Sequence, residues 1–242
     1  MGLVALPLTG CGSDAGCVSG QTCTRVLFIG DSYTSVNDLP STLSSLAASG
    51  GHRMDTQALD AGGARLADHV ADPNTIPTIN SQSWTYVVLQ EQSQIPSIES
   101  LRQSEMYPAA QQLVGDIRTD KATPIFYMPW TREAGWPENG IPTYAEMQAA
   151  VNVGYQTIAA QENATIAPVG AAWQSALTQY SASDLWQSDG IHPTPLGTYL
   201  AACVFYATLY RQTPVGLSYH ASLSDADAAK MQSIAAAAVN TG

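Results

Sequence analysis

A parallel-sheet α/β fold is the class this chain predicts, on three observations. Short apolar runs rich in β-branched residues recur along it, a Gly-rich or polar loop follows each, and a longer stretch of helical character follows most loops. Strands alternating with helices pack as right-handed βαβ units, which puts helices on both faces of one parallel sheet. The 242 residues are enough to bury a full core as one domain, and neither an internal repeat nor a second-domain linker interrupts the pattern.

Taken in order, the first strand is expected over Arg25–Ile29 (RVLFI), with a helix at about 38–48. The second strand is Met54–Leu59 and the third Tyr86–Gln90 (YVVLQ), after which a helix is expected over 98–119. Pro124–Met128 (PIFYM) and Thr165–Val169 supply strands four and five, with helices at 143–161 and 170–180. Two more helices, 195–212 and 224–238, close the chain. Five such strands imply a flavodoxin-like three-layer α/β/α sandwich. In that architecture ligands bind outside the carboxyl ends of the strands, so the loops after each strand are where chemistry is sought.

Composition excludes several functions. With 9 Lys plus Arg against 20 Asp plus Glu, the net charge is −11 and the few cations are scattered, so nucleic acid is not an expected partner. A 45% hydrophobic content and only 12% charged residues argue against disorder. The apolar residues 2–9 end in Leu8-Thr9-Gly10-Cys11, which resembles a bacterial lipoprotein cleavage site with Cys11 as the lipidated residue. Residues 1–24 are therefore expected to be a signal remnant and tether, and 25–242 the folded domain. The stretch is too short to span a bilayer, so membrane contact is expected only through a lipid. Cys17 and Cys23 are spaced to bridge, and Cys203, inside an apolar helical run, reads as a buried thiol. No second Cys/His pair has ligand spacing, so no metal is expected.

Two segments carry chemistry. Strand one runs into Gly30-Asp31-Ser32-Tyr33-Thr34, which puts a hydroxyl at a strand-to-helix turn beside backbone N–H groups. Such a turn suits a nucleophile or an anion. A serine needs a base, because its hydroxyl is protonated at neutral pH. Near the other end, Ser188-Asp189-Gly190-Ile191-His192-Pro193 places an acid three residues before a histidine, and of the four histidines only His192 has one there. That spacing lets the carboxylate take one imidazole nitrogen while the other faces the serine. Read alone, each segment could be a turn or a helix cap.

Together these segments resemble the SGNH (GDSL-type) hydrolases over about residues 25–212. The resemblance implies Ser32 as nucleophile, His192 as general base and acid, and Asp189 as its orienting partner. It implies an oxyanion hole made by Ser32, a glycine after strand two (Gly63, with Gly62 the alternative) and an Asn after strand three. This chain has no such Asn and reads Leu89-Gln90-Glu91-Gln92-Ser93-Gln94 instead. A Gln amide can donate as an Asn does, so the role would pass to Gln92 or to Gln90. Glu91 reads as a buried structural carboxylate, loosely like the Gln-Gly-Glu-Ser block of some carbohydrate esterases.

The expected activity is that of a serine esterase, a carboxylesterase or carbohydrate O-deacetylase, working as a monomer without a cofactor and exported to the cell envelope or secreted. The loop after strand four is rich in aromatics, so Trp130 and Trp136, with Asp31 and Tyr33 beside the nucleophile, are candidate contacts for a saccharide or small-molecule ester. Aromatics that merely cover the sheet end are the competing reading. Two other functional classes remain: an envelope-anchored sugar-binding lipoprotein without catalysis, and a flavodoxin-like phosphate or flavin binder. In the latter, Asp31 would repel the anion and the Asp189–His192 element would have no task.

Overall fold

The computed structural model describes Cys17 and residues 22–240; Cys11 and most of the expected tether lie outside the described residues. Five strands, β1 (Thr24–Ile29), β2 (Met54–Leu59), β3 (Tyr86–Leu89), β4 (Thr123–Tyr127) and β5 (Thr165–Ala167), form one parallel sheet in the order β2-β1-β3-β4-β5. The three-layer expectation is borne out, and all five strands fall within two residues of their expected ends.

Burial on both faces explains the unbroken apolar runs. Val26 and Phe28 of β1 point to one side with Val88 of β3 and Ile125 and Tyr127 of β4. There they meet α2 (Leu39–Ser49), α8 (Val169–Ala176) and α10 (Pro195–Tyr210). Leu27, Ile29, Val87, Leu89 and Phe126 point to the other side, against α3 (Leu66–Ala71), α6 (Tyr107–Thr119) and α7 (Tyr144–Gln161). α10 is apolar nearly all round because α11 (Asp225–Asn240) covers its outer side. Cys203 lies within it, fully buried.

Short helices were not expected from the sequence: α1 (Ser32–Ser35), α3, α4 (Thr75–Ile79) and α9 (Ala182–Leu185). None is long enough to show a 3.6-residue apolar period. The expected 98–119 helix is present in pieces, α5 (Glu99–Leu101) leading through a π-helical turn at Arg102–Met106 into α6. Cys17 and Cys23 are joined by a disulfide with Cα atoms 5.4 Å apart. Cys17 N–H also donates to Asp55 Oδ1 (2.8 Å) on β2. Among the described residues no helix is long and apolar enough to cross a membrane.

Strand order reverses at β1. The connection after β1 leads to β2 on one side and the chain returns to β3 on the other, which leaves a crevice at the carboxyl ends of β1 and β3. Ser32 and Gln90 follow those two strands.

Candidate active site

The turn that carries Ser32 is built by local capping. Asp31 caps α1, its Oδ1 accepting from Tyr33 N–H (2.9 Å), while Thr34 and Ser35 N–H donate to the Asp31 carbonyl (2.9 and 3.2 Å). Asp31 N–H donates to Gln90 Oε1 (3.0 Å) and Val36 N–H to the Ser32 carbonyl (3.0 Å). From residue 31 to 36, the Ser32 N–H alone has no acceptor among the described residues. An orphan amide at a helix start favours negative charge.

His192 arrives on the loop before α10. Asp189 folds this loop as an Asx turn, its Oδ1 accepting from Ile191 and His192 N–H (2.9 and 3.0 Å), with Gly190 at φ +66°. Asp189 Oδ2 lies 2.6 Å from His192 Nδ1, and His192 Nε2 lies 2.9 Å from Ser32 Oγ. A carboxylate only accepts, so Nδ1 carries the proton and Nε2 accepts from the Ser32 hydroxyl. The acid, imidazole and hydroxyl are thus brought into one hydrogen-bonded row. Partial burial pushes Asp189 up, but the hydrogen bonds from His192 and Ile191 outweigh it and hold the carboxyl below its usual range.

Aromatic residues hold this loop from behind. Tyr33 stacks on Trp130 (centroids 4.5 Å apart), Trp130 stacks on Trp173 (4.3 Å), and Trp186 meets Trp173 edge-on. Trp130 Nε1–H donates to the Ile191 carbonyl (3.0 Å) and Trp186 Nε1–H to the Thr131 carbonyl (3.0 Å), which ties the two loops together. This corrects part of the expected substrate surface. Asp31, Tyr33 and Trp130 are 2%, 2% and 0% exposed, so none offers a face to a substrate. Their side chains turn inward because the crevice floor is continuous with the core. Trp136 is half-buried and pairs its backbone with Ile141. It sits between Gly135 and Pro137, two residues that line a groove of about 330 Å³ together with Arg132, Glu133, Asp189 and Gly190. A larger cavity of about 730 Å³ lies away from Ser32, His192 and Asp189, beside β5 and the ends of α10 and α11.

Gln90 requires a second correction. Its Nε2 donates to Asp31 Oδ1 (2.7 Å) and the Glu91 carbonyl (3.0 Å), and its Oε1 accepts from Asp31 N–H and Thr34 Oγ1–H (3.0 Å each). Both amide hydrogens are used and the side chain is fully buried, so Gln90 holds the turn that carries Ser32 and has no hydrogen left for an oxyanion. A Cβ on Gly30 would meet Gln90 Oε1 at 2.5 Å, which is why this turn needs glycine. Gln92 is half-buried, its Oε1 accepting from Gln94 N–H (2.9 Å) and its Nε2 3.3 Å from Gln94 Oε1, so one of its amide hydrogens has no acceptor among the described residues. Gly63 is exposed at φ +73°, a conformation that side chains rarely adopt.

Two residues that the sequence reading missed join the parts. Asn37, at φ 57°, donates through Nδ2 to the Pro193 carbonyl (2.9 Å) and Thr198 Oγ1 (3.0 Å), linking the Ser32 segment to the His192 loop. The dipeptide Asn37-Asp38 before Leu-Pro was its signal, since both types tolerate left-handed backbone. His69, buried on α3, donates from Nε2 to the Gly30 carbonyl (2.7 Å).

This sheet order, with a serine turn after β1 and a late Asp-x-x-His loop, is the SGNH (GDSL-type) hydrolase fold. Solved structures agree. A candidate SGNH hydrolase from Slackia heliotrinireducens is 28% identical, with a TM-score of 0.68 over 78% of this chain and 100% of that one. A DUF4886 family protein from Bacteroides uniformis is 18% identical, with a TM-score of 0.80 over 90% of this chain and 95% of that one. An acetyl-xylooligosaccharide esterase from Geobacillus is 16% identical, with a TM-score of 0.59 over 77% of this chain and 94% of that one. No protein-family model and no curated protein sequence matches the chain.

Proposed function

We propose that this protein is a serine esterase that cleaves carboxylic esters through an acyl-enzyme. The observation carrying this reading is the row Asp189 Oδ2, His192 Nδ1, His192 Nε2, Ser32 Oγ, with separations of 2.6 and 2.9 Å. Ser32 Oγ attacks the ester carbonyl as His192 Nε2 takes its proton, and the carbonyl oxygen becomes an oxyanion. The unpaired Ser32 N–H, with Gly63 N–H and the Gln92 amide as further donors, stabilises that charge as it forms. His192 then protonates the departing alcohol, and water repeats the sequence on the acyl-enzyme. Asp189 keeps the imidazole in the required tautomer and stabilises it while it is charged.

Small neutral acyl groups, acetyl esters of saccharides among them, are the substrates we favour. An open polar groove beside Asp189 can take a hydroxylated alcohol portion, the surplus negative charge disfavours polyanions, and one neighbour in fold is an esterase of acetylated oligosaccharides. Ser32→Ala and His192→Ala should each lower turnover of 4-nitrophenyl acetate by at least about 10³-fold with the fold intact, because the pair acts as a unit. Near wild-type turnover in either variant would overturn the reading. Covalent labelling of Ser32 by a fluorophosphonate separates an esterase from a protein that only binds sugars.

A further inference from the structure

We propose that Glu91 is a positioning residue for the oxyanion donors: its carboxyl clamps the loop after β2 to the loop after β3. The inference rests on the esterase reading and deepens it. Glu91 Oε1 accepts from Leu66 N–H (3.2 Å), three residues beyond Gly63, and from Gln92 N–H (2.7 Å). The two loops expected to supply donors besides Ser32 therefore converge on one oxygen.

Alternation at the end of β3 explains how this comes about. Val88 and Leu89 face opposite sides of the sheet. The next two residues continue the alternation, Gln90 reaching the turn after β1 and Glu91 the start of α3. Consecutive side chains thus secure two different donor loops. The segment around Glu91 is held firmly: Glu91 N–H donates to the Tyr155 hydroxyl (2.9 Å), and Arg65 pairs with Asp68 and Glu105 (2.7 Å each) just before Leu66. Glu91 is wholly buried and its Oε2 has no partner among the described residues. A buried acid costs free energy unless hydrogen bonds offset it, and here the two amides that converge on Oε1 do so. Burial keeps it mostly neutral at pH 7, raising it to about 8 against the opposing Gln92 and Leu66 N–H groups.

A donor acts on turnover more than on binding, because the charge it meets exists only in the transition state. That separates positioning from a general contribution to folding. The experiment compares kcat and KM on 4-nitrophenyl acetate for wild type, Glu91→Gln, Glu91→Met and Ser32→Ala, with melting curves for each. Met fills a similar volume without an acceptor; Gln keeps Oε1 and imitates the neutral acid. Glu91→Met should lower kcat about 30- to 100-fold with KM within twofold. Glu91→Gln should restore kcat to within about fivefold of wild type. Should Glu91→Met not fold, Glu91→Ala, whose void admits water, is held to the same split. An unchanged kcat in the acceptor-free variant, a loss carried by KM, or a Gln variant as impaired as the Met one would overturn the proposal. Wild-type turnover in Ser32→Ala would instead overturn the esterase reading beneath it.

Discussion

The two halves of the Ser32–His192 pair are held in opposite ways. Ser32 stands on a dry floor, where Asp31, Thr34 and Gln90 are buried and bonded to one another. His192 and Asp189 stand in a loop whose side chains are 30% and 42% exposed, shaped by an Asx turn and backed by indoles. A buried polar network has no water to replace a lost partner, whereas an exposed loop does. Damage to the floor should therefore be costly for fold and activity alike, and damage to the loop should be confined to chemistry.

Gln90→Leu tests the floor and should have the larger effect on stability. It leaves Asp31 N–H and the Thr34 hydroxyl without their partner and takes one of two donors from Asp31 Oδ1, which should cost about 3–5 kcal/mol and lower the melting temperature by roughly 10 °C. Activity should fall with it, by about 10²-fold, as the turn loses its fixed shape. A variant that melts and turns over like wild type would show that the floor is held by other contacts. Asp189→Asn tests the loop. Turnover should fall by about 10⁴-fold from the wrong tautomer, with the melting temperature within about 2 °C, since the Asn oxygen can still accept the loop amides. A melting loss matching that of the Gln90 variant would erase the distinction between the two regions.

Opposite responses to pH sharpen the same comparison. Glu91, on the buried side, holds its proton up to about pH 8, against an ordinary value of 4.5, because burial disfavours its charge; Asp31 and Glu105 push the same way. Its folded-state proton affinity exceeds the unfolded one, so its own contribution to stability is greatest below pH 4.5 and declines until about pH 8, at about 1.4 kcal/mol per tenfold change in affinity. Asp189 is held below its usual range, so what it contributes is present above the ordinary carboxylate pKa and fades as acid protonates it. Melting curves from pH 5 to 9 should show Glu91→Gln gaining on wild type as pH rises; parallel curves would contradict a buried, titrating Glu91.

Much of this was legible before the structure. Runs such as Val26–Ile29 and Tyr86–Leu89 can only be buried strands in an α/β pattern, and the Gly-Asp-Ser and Asp-x-x-His segments, each readable alone as a turn or a helix cap, point together to the row of Ser32, His192 and Asp189. Side-chain direction was not legible. Trp130 sits in a loop and reads as surface from its neighbours, yet α8 supplies Trp173 for it to stack on, a contact made 43 residues away in sequence. Gln90 likewise reads as a donor, and only the turn after β1, packed beside it, shows that its amide is already engaged by Asp31 and Thr34. Helices α3 and α4 escaped notice because prolines and polar residues in 66–79 mask so short an apolar face.

The disulfide and β1 also set an orientation. Cys17 meets Asp55 near the start of β2, and β1 begins next to it, so the amino-terminal part of the chain enters at the foot of the sheet. Ser32 follows the far end of β1, about 20 Å away for a six-residue strand. The described amino-terminal end of the domain and the mouth of the crevice therefore lie at opposite ends of the sheet.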